Sequence, residues 1–331
     1  MTARAVPRVL LLLLVAALMA LPAVAAYGGG DLAVSAHGRV VGDVLLTHGD
    51  SRYSGEIGPG GIYTVTFTPA LPAVAAPANA TVYLFYTWSH AGTTGVLPDL
   101  RVEAGGVTVS PARTYTDRKG KQPYDYPAGL LVYDVVGQVR AGSPLEFTVT
   151  NAAAEAGVAF PGAVLLVAHD GKGAGAEYWV AEGAEMLYAT EDVSPGTATA
   201  RVIFQGLPPV PGGGSATLLS VVPGGDKGKN VLTVNGREFP GLFNGKPYGD
   251  LAMAETDVGA HLVAGENTVT LRDEGDYTVP GVFALVVRGG DGTGTAAPTQ
   301  GTPLSGICAL VAVGSAAVAA LGRKRRAERG S

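Results

Sequence analysis

Between Ile62 and Thr68 the chain alternates strictly, with Tyr63, Val65 and Phe67 on one side and Thr64, Thr66 and Thr68 on the other. A period of two predicts a strand with one buried face. Thr81 to Trp88 is dense in aromatic and β-branched residues and predicts a strand in the core of a sandwich. Leu100 to Val109 predicts a hairpin turning at Ala104-Gly105-Gly106. Leu130 to Val136, Phe147 to Thr150 and Ala163 to His169 complete a pair of sheets. Ahead of them, Asp31 to Ile57 is a glycine-punctuated lead-in, in which Val40, Val41, Val44 and Leu45 have an edge-strand pattern.

Much of this pattern occurs twice. LLVYDVVGQVRAGSPLEFTVTN, from Leu130 to Asn151, is answered by AMAETDVGAHLVAGENTVTLRD, from Ala252 to Asp273. Pro161-Gly162 is answered by Pro280-Gly281. Ala200 to Phe204 matches Tyr63 to Phe67, and Ala216 to Val222 matches Ala80 to Tyr86. A repeat of this length predicts two related domains in tandem. The expected fold is therefore all-β, made of two tandem, internally duplicated β-sandwiches. Asp134 and Asp257 occupy equivalent places, and each can cap a short turn by accepting from the N–H groups that follow. Between the copies, Glu177 to Val180 predicts a strand, and Ala181 to Leu187 predicts the start of a helix that Gly183 weakens.

The ends are of a different kind. Residues 1–26 have a positive start at Arg4 and Arg8, an apolar stretch from Val9 to Leu21 and the small-residue site Ala23-Val24-Ala25, the pattern of a secretory signal peptide. Residues 291–303 read as a Gly/Thr/Pro linker. Residues 304–322 are apolar over nearly the length of a membrane-spanning helix. The basic tail, 323–331, begins Arg323-Lys324-Arg325-Arg326, which places it in the cytoplasm and everything before the helix outside. The expected order is thus a signal peptide, a first sandwich at 27–170, a connecting segment at 171–197, a second sandwich at 198–290, then linker, transmembrane or sorting helix and tail. Cys308, the only cysteine, lies in the apolar helix, so the sandwiches have no disulfide.

Three resemblances are carried by particular stretches. The repeat of Asp-Val, short turn, Ala-Gly and strand resembles galactose-binding-like jelly-roll modules attached to many glycosidases. YTVTFTPALP (Tyr63–Pro72), TVYLFYTWS (Thr81–Ser89), YDYPAGLLVYDV (Tyr124–Val135) and EYWVAEGAEML (Glu177–Leu187) make the chain similar to a family of archaeal cell-surface proteins, chiefly from methanogens, of unassigned function. The Pro-Leu-Ser-Gly start, apolar span and basic end resemble an archaeosortase-type sorting signal. That resemblance implies that the helix is cut off and replaced by a lipid.

Candidate chemistry is sparse. His37, His48, His90, His169 and His261 are scattered without zinc spacing, and no nucleophile elbow or P-loop occurs in its required context. No catalytic residue, metal ligand set or cofactor is assigned. Asp43, Asp50, Glu56, Asp117 and Asp125 offer oxygen ligands for calcium, but without a twelve-residue calcium loop. Net charge is −5, with no basic stripe, which argues against nucleic acid. Asn79-Ala80-Thr81 is a glycosylation acceptor. The best ligand-binding candidates are Tyr115, Asp117, Tyr124, Asp125 and Tyr126, in a loop from Ser110 to Pro127 present only in the first copy. Tyrosine faces cover the C–H surfaces of sugars, and carboxylates fix hydroxyls. Arg118, Lys119 and Lys121 add cations. Trp88 and Trp179 are read as core or interface anchors. The reading is a non-enzymatic, exported, membrane-anchored surface protein with a structural or adhesive role. The alternatives are a glycan-binding module, its partners being cell-envelope or surface glycans, and then a surface hydrolase.

Overall fold

A computed structural model describes residues 27–120, 123–173, 175–244 and 250–289. The expected signal peptide, linker, apolar helix and basic tail lie outside these residues. Among the described residues no helix is long and apolar enough to cross a membrane. There is no α-helix among them, only a single 3-10 turn at Gly259–His261.

Strand β1 is Asp31–Val40. After it come β2 (Asp43–Thr47), β3 (Glu56–Ile57), β4 (Ile62–Phe67), β5 (Ala76–Ala91), β6 (Thr94–Gly95), β7 (Leu100–Ala104), β8 (Val107–Val109), β9 (Arg113–Asp117), β10 (Ala128–Asp134), β11 (Leu145–Asn151) and β12 (Gly157–Asp170). The second half supplies β13 (Ala176–Glu182), β14 (Thr199–Leu207), β15 (Ser215–Pro223), β16 (Asn230–Val234), β17 (Arg237–Phe239), β18 (Leu251–Asp257), β19 (Gly265–Asp273) and β20 (Val282–Arg288).

The strands make four layers. The first outer sheet has the order β4-β11-β7-β8, and the first inner sheet β2-β12-β5-β10-β9. In the second half, β14-β19-β16-β17 forms the outer sheet and β13-β20-β15-β18 the inner one, so β14 to β20 repeat the pairing of β4, β5, β7, β8, β10, β11 and β12. Alternation does the packing within each sandwich. Tyr63, Val65 and Phe67 of β4 meet Val82, Leu84 and Tyr86 of β5 across the first core. In the second core, Val202 and Phe204 of β14 meet Leu218 and Val222 of β15.

Two segments depart from the expected layout. Residues 31–40, read as the start of the first sandwich, belong to the second: β1 runs antiparallel to β13 and touches β14 in parallel at Asp31 and Leu32. It is an interior strand that joins the inner and outer sheets, whereas Val44 and Leu45 lie on the edge strand β2. The connecting segment is also structural. Glu177 to Val180 is strand as expected, but no helix begins at Ala181. The strand continues to Glu182, and Leu187 then forms a bridge with Thr278. A helix there would remove the pairing of Ala181 with Phe283 and of Glu182 with Val282.

The two inner sheets pack face to face, and this seam is a third core. Tyr83, Phe85, Leu130, Val132, Val164 and Leu166 of the first sandwich face Val180, Leu219, Val221, Val282, Ala284 and Val286 of the second. Burying each large apolar side chain contributes about 1.5–3 kcal/mol, so the seam holds the halves as one body. A carboxylate is buried in it. Glu182 is 0% exposed. Its Oε1 accepts from Tyr83 Oη at 3.0 Å and Arg113 Nη2 at 3.0 Å, and its Oε2 from Arg113 Nε at 2.7 Å and Tyr115 Oη at 3.1 Å. Every strong acceptor position is used, which is the condition for burying a charge. Burial and then the Glu182 charge push the Tyr115 hydroxyl up to about 12.

Removing one partner would strand the other charge. Arg113→Ala should lower stability by roughly 3 kcal/mol, the lower end for breaking a buried pair because the guanidinium is partly exposed. Tyr115→Phe should cost about 1 kcal/mol. Urea unfolding of the purified protein measures both.

Candidate functional site

A cleft of about 360 Å³ opens at one end of the seam, and both sandwiches line it. The first contributes Tyr86, Thr87 and Trp88 from β5 and Lys119, Tyr124 and Tyr126 from the β9–β10 loop. The second contributes Tyr27, Met186, Tyr188, Asp276 and Tyr277. The cleft is thus mainly aromatic, with one ammonium and one carboxylate.

The aromatic rings are held by unusual backbone. β5 and β12 pair with irregular register, Gly157 opposite His90, Ala159 opposite Thr87 and Gly162 opposite Phe85. Between Thr87 and His90 the extra residue falls on β5, and such a bulge re-aims a side chain. Trp88 sits in it with φ 51° and is 46% exposed. Tyr124 has φ 62° and is 60% exposed, and Tyr27 has φ 65°. Three of the four described non-glycine residues with positive φ therefore line the cleft. The fourth, Asn235, is in a hairpin turn where Asn-Gly suits that conformation. Such residues cost about 1–3 kcal/mol each and persist only where the surroundings impose them.

The surroundings here are specific. Trp88 lies edge-on to Tyr126 at 5.7 Å and to Tyr124 at 6.0 Å, and His90 stacks on Tyr126 at 4.4 Å. Asp125 shapes the loop: its Oδ1 accepts from Gly120 N at 2.7 Å, its carbonyl accepts from Arg118 Nη2 at 2.7 Å, and its Oδ2 pairs with Arg118 at 3.4 Å. Asp117 fixes the loop to the other sandwich, its Oδ2 accepting from Met186 N at 2.7 Å. On the far wall Tyr27 and Tyr188 meet edge to face at 5.4 Å. Gly129 lies on the floor, where a Cβ would come within 2.2 Å of the Tyr115 carbonyl oxygen.

A family model described as a protein of unknown function, DUF3344, matches residues 26–288. The chain belongs to the DUF3344 family. No curated protein sequence matches it. Solved structures with a similar course include BuGH86 in complex with neoagarooctaose, at 12% identity and a TM-score of 0.25, covering 69% of this chain and 34% of that one. The Streptomyces avermitilis α-L-rhamnosidase complexed with L-rhamnose is 15% identical at a TM-score of 0.21, covering 79% of this chain and 28% of that one. The CBM22 tandem domain of Paenibacillus barcinonensis Xyn10C is 12% identical at 0.20, covering 76% and 99%. This chain spans about a third of the length of the first two. At such scores the likeness carries no argument about what the DUF3344 chain binds.

The structure distributes the sequence-derived site residues by role. Tyr124 and Tyr126 line the cleft, Asp117 and Asp125 frame their loop, and Tyr115 is turned into the seam. Part of the expected loop is strand β9, an edge of the first inner sheet. Lys121 and Gln122 lie outside the described residues. Trp179 is buried in the second core, as expected of an anchor, but Trp88 is a cleft wall. Asp257 Oδ1 accepts from Gly259 N at 3.0 Å, at the start of the 3-10 turn. The turn after Asp134 is closed instead by the Val135 carbonyl, which accepts from Gln138 N and Val139 N. No side-chain hydrogen bond reaches Asp134 among the described residues. Asn79 is half-buried in β5, where its Oδ1 accepts from the Thr81 hydroxyl of its own acceptor motif. The candidate calcium ligands are dispersed, with Asp43 on Arg288 and Asp50 on Thr66 N. Among the described residues no group of three His, Cys, Asp or Glu could hold a metal. Tyr27, Tyr188, Asp276 and Tyr277 went unnoticed in the sequence, where their only signal is aromatic residues set among turn residues.

Three carboxyls near the cleft are pushed above the usual carboxylate range. Burial is the main cause for Asp117, Glu185 and Asp276, and neighbouring carboxylates add to it for the last two. Each holds a proton more tightly in the folded chain than in the unfolded one. Their contribution is complete below the unfolded pKa and lost as pH rises through the folded one. Stability should therefore rise as pH falls from neutrality through the raised folded-state pKa values of these groups towards the ordinary carboxylate range. Glu185→Gln should flatten that rise, which urea unfolding across the interval would show. An unchanged slope would count against it.

Proposed function

We propose that the protein is an exported surface protein that binds a saccharide in the seam cleft. The observation that carries this is the set of aromatic residues held at positive φ around a concave site. Aromatic faces match the apolar C–H faces of pyranose rings, and Lys119, Thr87 and Asp276 supply donors and acceptors for hydroxyls. Backbone strain clusters at functional sites, and here it is kept at a ligand-sized cleft. The role is binding without catalysis. The stacked sandwiches also support a second reading, that of a rigid structural element of the cell envelope, because the seam leaves little freedom between them.

Export and anchoring rest on residues 1–26 and 304–331. Removing residues 304–331 should release the protein into the medium. Retention in the membrane fraction would place the anchor elsewhere.

Trp88→Gly separates binding from folding. Glycine is at ease at φ 51°, so stability should hold within about 1 kcal/mol. Losing the ring should remove about 1.5–3 kcal/mol of affinity, roughly tenfold or more. A glycan array on the native protein and this variant, with melting curves of both, makes the comparison. Equal retention by both would remove Trp88 from the site. No retention by the native protein would favour the structural reading.

A further inference from the structure

We propose that Asp273 is the positioning residue for the second-sandwich wall of the cleft. This rests on the cleft being a saccharide site, since what Asp273 positions is the surface opposite Trp88. Asp273 ends β19 and is 0% exposed. Its Oδ2 accepts from Ala189 N at 2.6 Å and Gly275 N at 3.0 Å, and its Oδ1 from Asp276 N at 3.0 Å and Asn230 Nδ2 at 2.8 Å. No Arg or Lys pairs with it among the described residues; its partners are neutral N–H groups.

Those four donors come from three segments. Ala189 follows Tyr188, and Gly275 and Asp276 precede Tyr277. Asn230 in turn accepts from Asp226 N at 2.7 Å, holding the turn that follows Pro223 and Gly224. The first two segments are also tied to each other, Leu187 N and Thr278 N each donating to the other's carbonyl. One carboxylate thus collects three loops at a single point, in addition to the pairwise ties made by the Leu187–Thr278 bridge, by Val279 N on the Pro223 carbonyl and by Glu274 N on the Lys229 carbonyl. A carboxylate suits the task because it offers only acceptors to four converging donors. In the first sandwich the end of β11 carries a neutral side chain, Asn151, also buried. It donates to Ile57 O and Ala156 O, and it holds a turn that does not line the cleft.

The test uses the full chain without its apolar C-terminal segment and has two independent arms. The first needs no ligand. Asp273→Asn keeps the shape but turns an N–H₂ towards N–H donors. Amide exchange at residues 186–190, 223–230 and 274–278 should accelerate together, at least about tenfold, with β13, β15 and β20 unchanged. Asn230→Ala, which unties the 223–230 segment alone, should accelerate exchange only there, and serves if Asp273→Asn does not fold. Asn151→Ala should leave all three segments unchanged. Acceleration limited to 274–276, or spread evenly over the second sandwich, would overturn the proposal. So would an Asn230→Ala effect outside its segment.

The second arm titrates cellohexaose, a neutral chain of pyranose rings. Asp273→Asn should weaken binding about tenfold, and adding Tyr188→Ala should weaken it no further, because Tyr188 is already displaced. Adding Trp88→Gly should weaken it again, because that wall is untouched. Additive effects of Asp273→Asn and Tyr188→Ala would overturn the positioning role. Failure of the native protein to bind cellohexaose counts against the saccharide reading for this chain of sugars, and the exchange data then decide the positioning by themselves.

Discussion

The two inner sheets are covered on both faces, and most of the structure follows from that. An ordinary sandwich sheet has one wet face, so its strands alternate. β4 and β14 do so, because they lie in outer sheets. β5, β12, β15 and β20 cannot, because each feeds its own core with one face and the shared seam with the other. A charged side chain between such sheets must bring its partners with it. Glu182 does this with an arginine and two tyrosines drawn from the opposite sandwich. The same bonds set the register between the halves, since a slide of one sheet over the other would leave a charge in apolar surroundings.

The cleft exists because the seam ends. Where the two inner sheets stop facing each other, loops from both halves must cover what the sheets no longer bury. Trp88, Tyr124 and Tyr27 are held there in backbone conformations that bulky residues avoid. Ser89, beside Trp88 in the bulge, is fully buried. A bulge that turns a tryptophan outward and a serine inward opposes simple hydrophobic sorting. Departures of that kind collect at functional sites and are offset by packing elsewhere. Here the offset comes from the seam and from the hydrogen bonds of Asp117, Asp125 and Asp273.

The halves share strand order yet differ around the cleft. The first carries β9 and the tyrosine loop, which have no counterpart among the described residues of the second. The second receives β1 from the beginning of the chain, and this strand closes its inner sheet onto its outer one. The differences place one wall of the cleft on each half, so the site belongs to the pair and to neither sandwich alone.

The sequence by itself determined the fold class, most of the strands and the Ser110 to Pro127 loop, part of which lines the cleft. Those depend on local pattern: period-two alternation, glycine at turns, and a loop present in one copy only. Tyr124 and Tyr126 were visible as aromatic residues in that loop. The pairing of β1 with β13, the seam and the far wall of the cleft were decided by tertiary structure. They join residues far apart in the chain, 145 positions from Ser35 to Val180 and 69 from Arg113 to Glu182, and nothing in the local pattern of Asp31–Val40 says which strand it will meet. A trace of the seam was present in unbroken apolar runs such as Val164 to Ala168, which an outer sheet would have interrupted with polar residues. No comparable trace marked Asp273. A buried carboxylate and an exposed one have the same letter, and only the four donors gathered around it distinguish them.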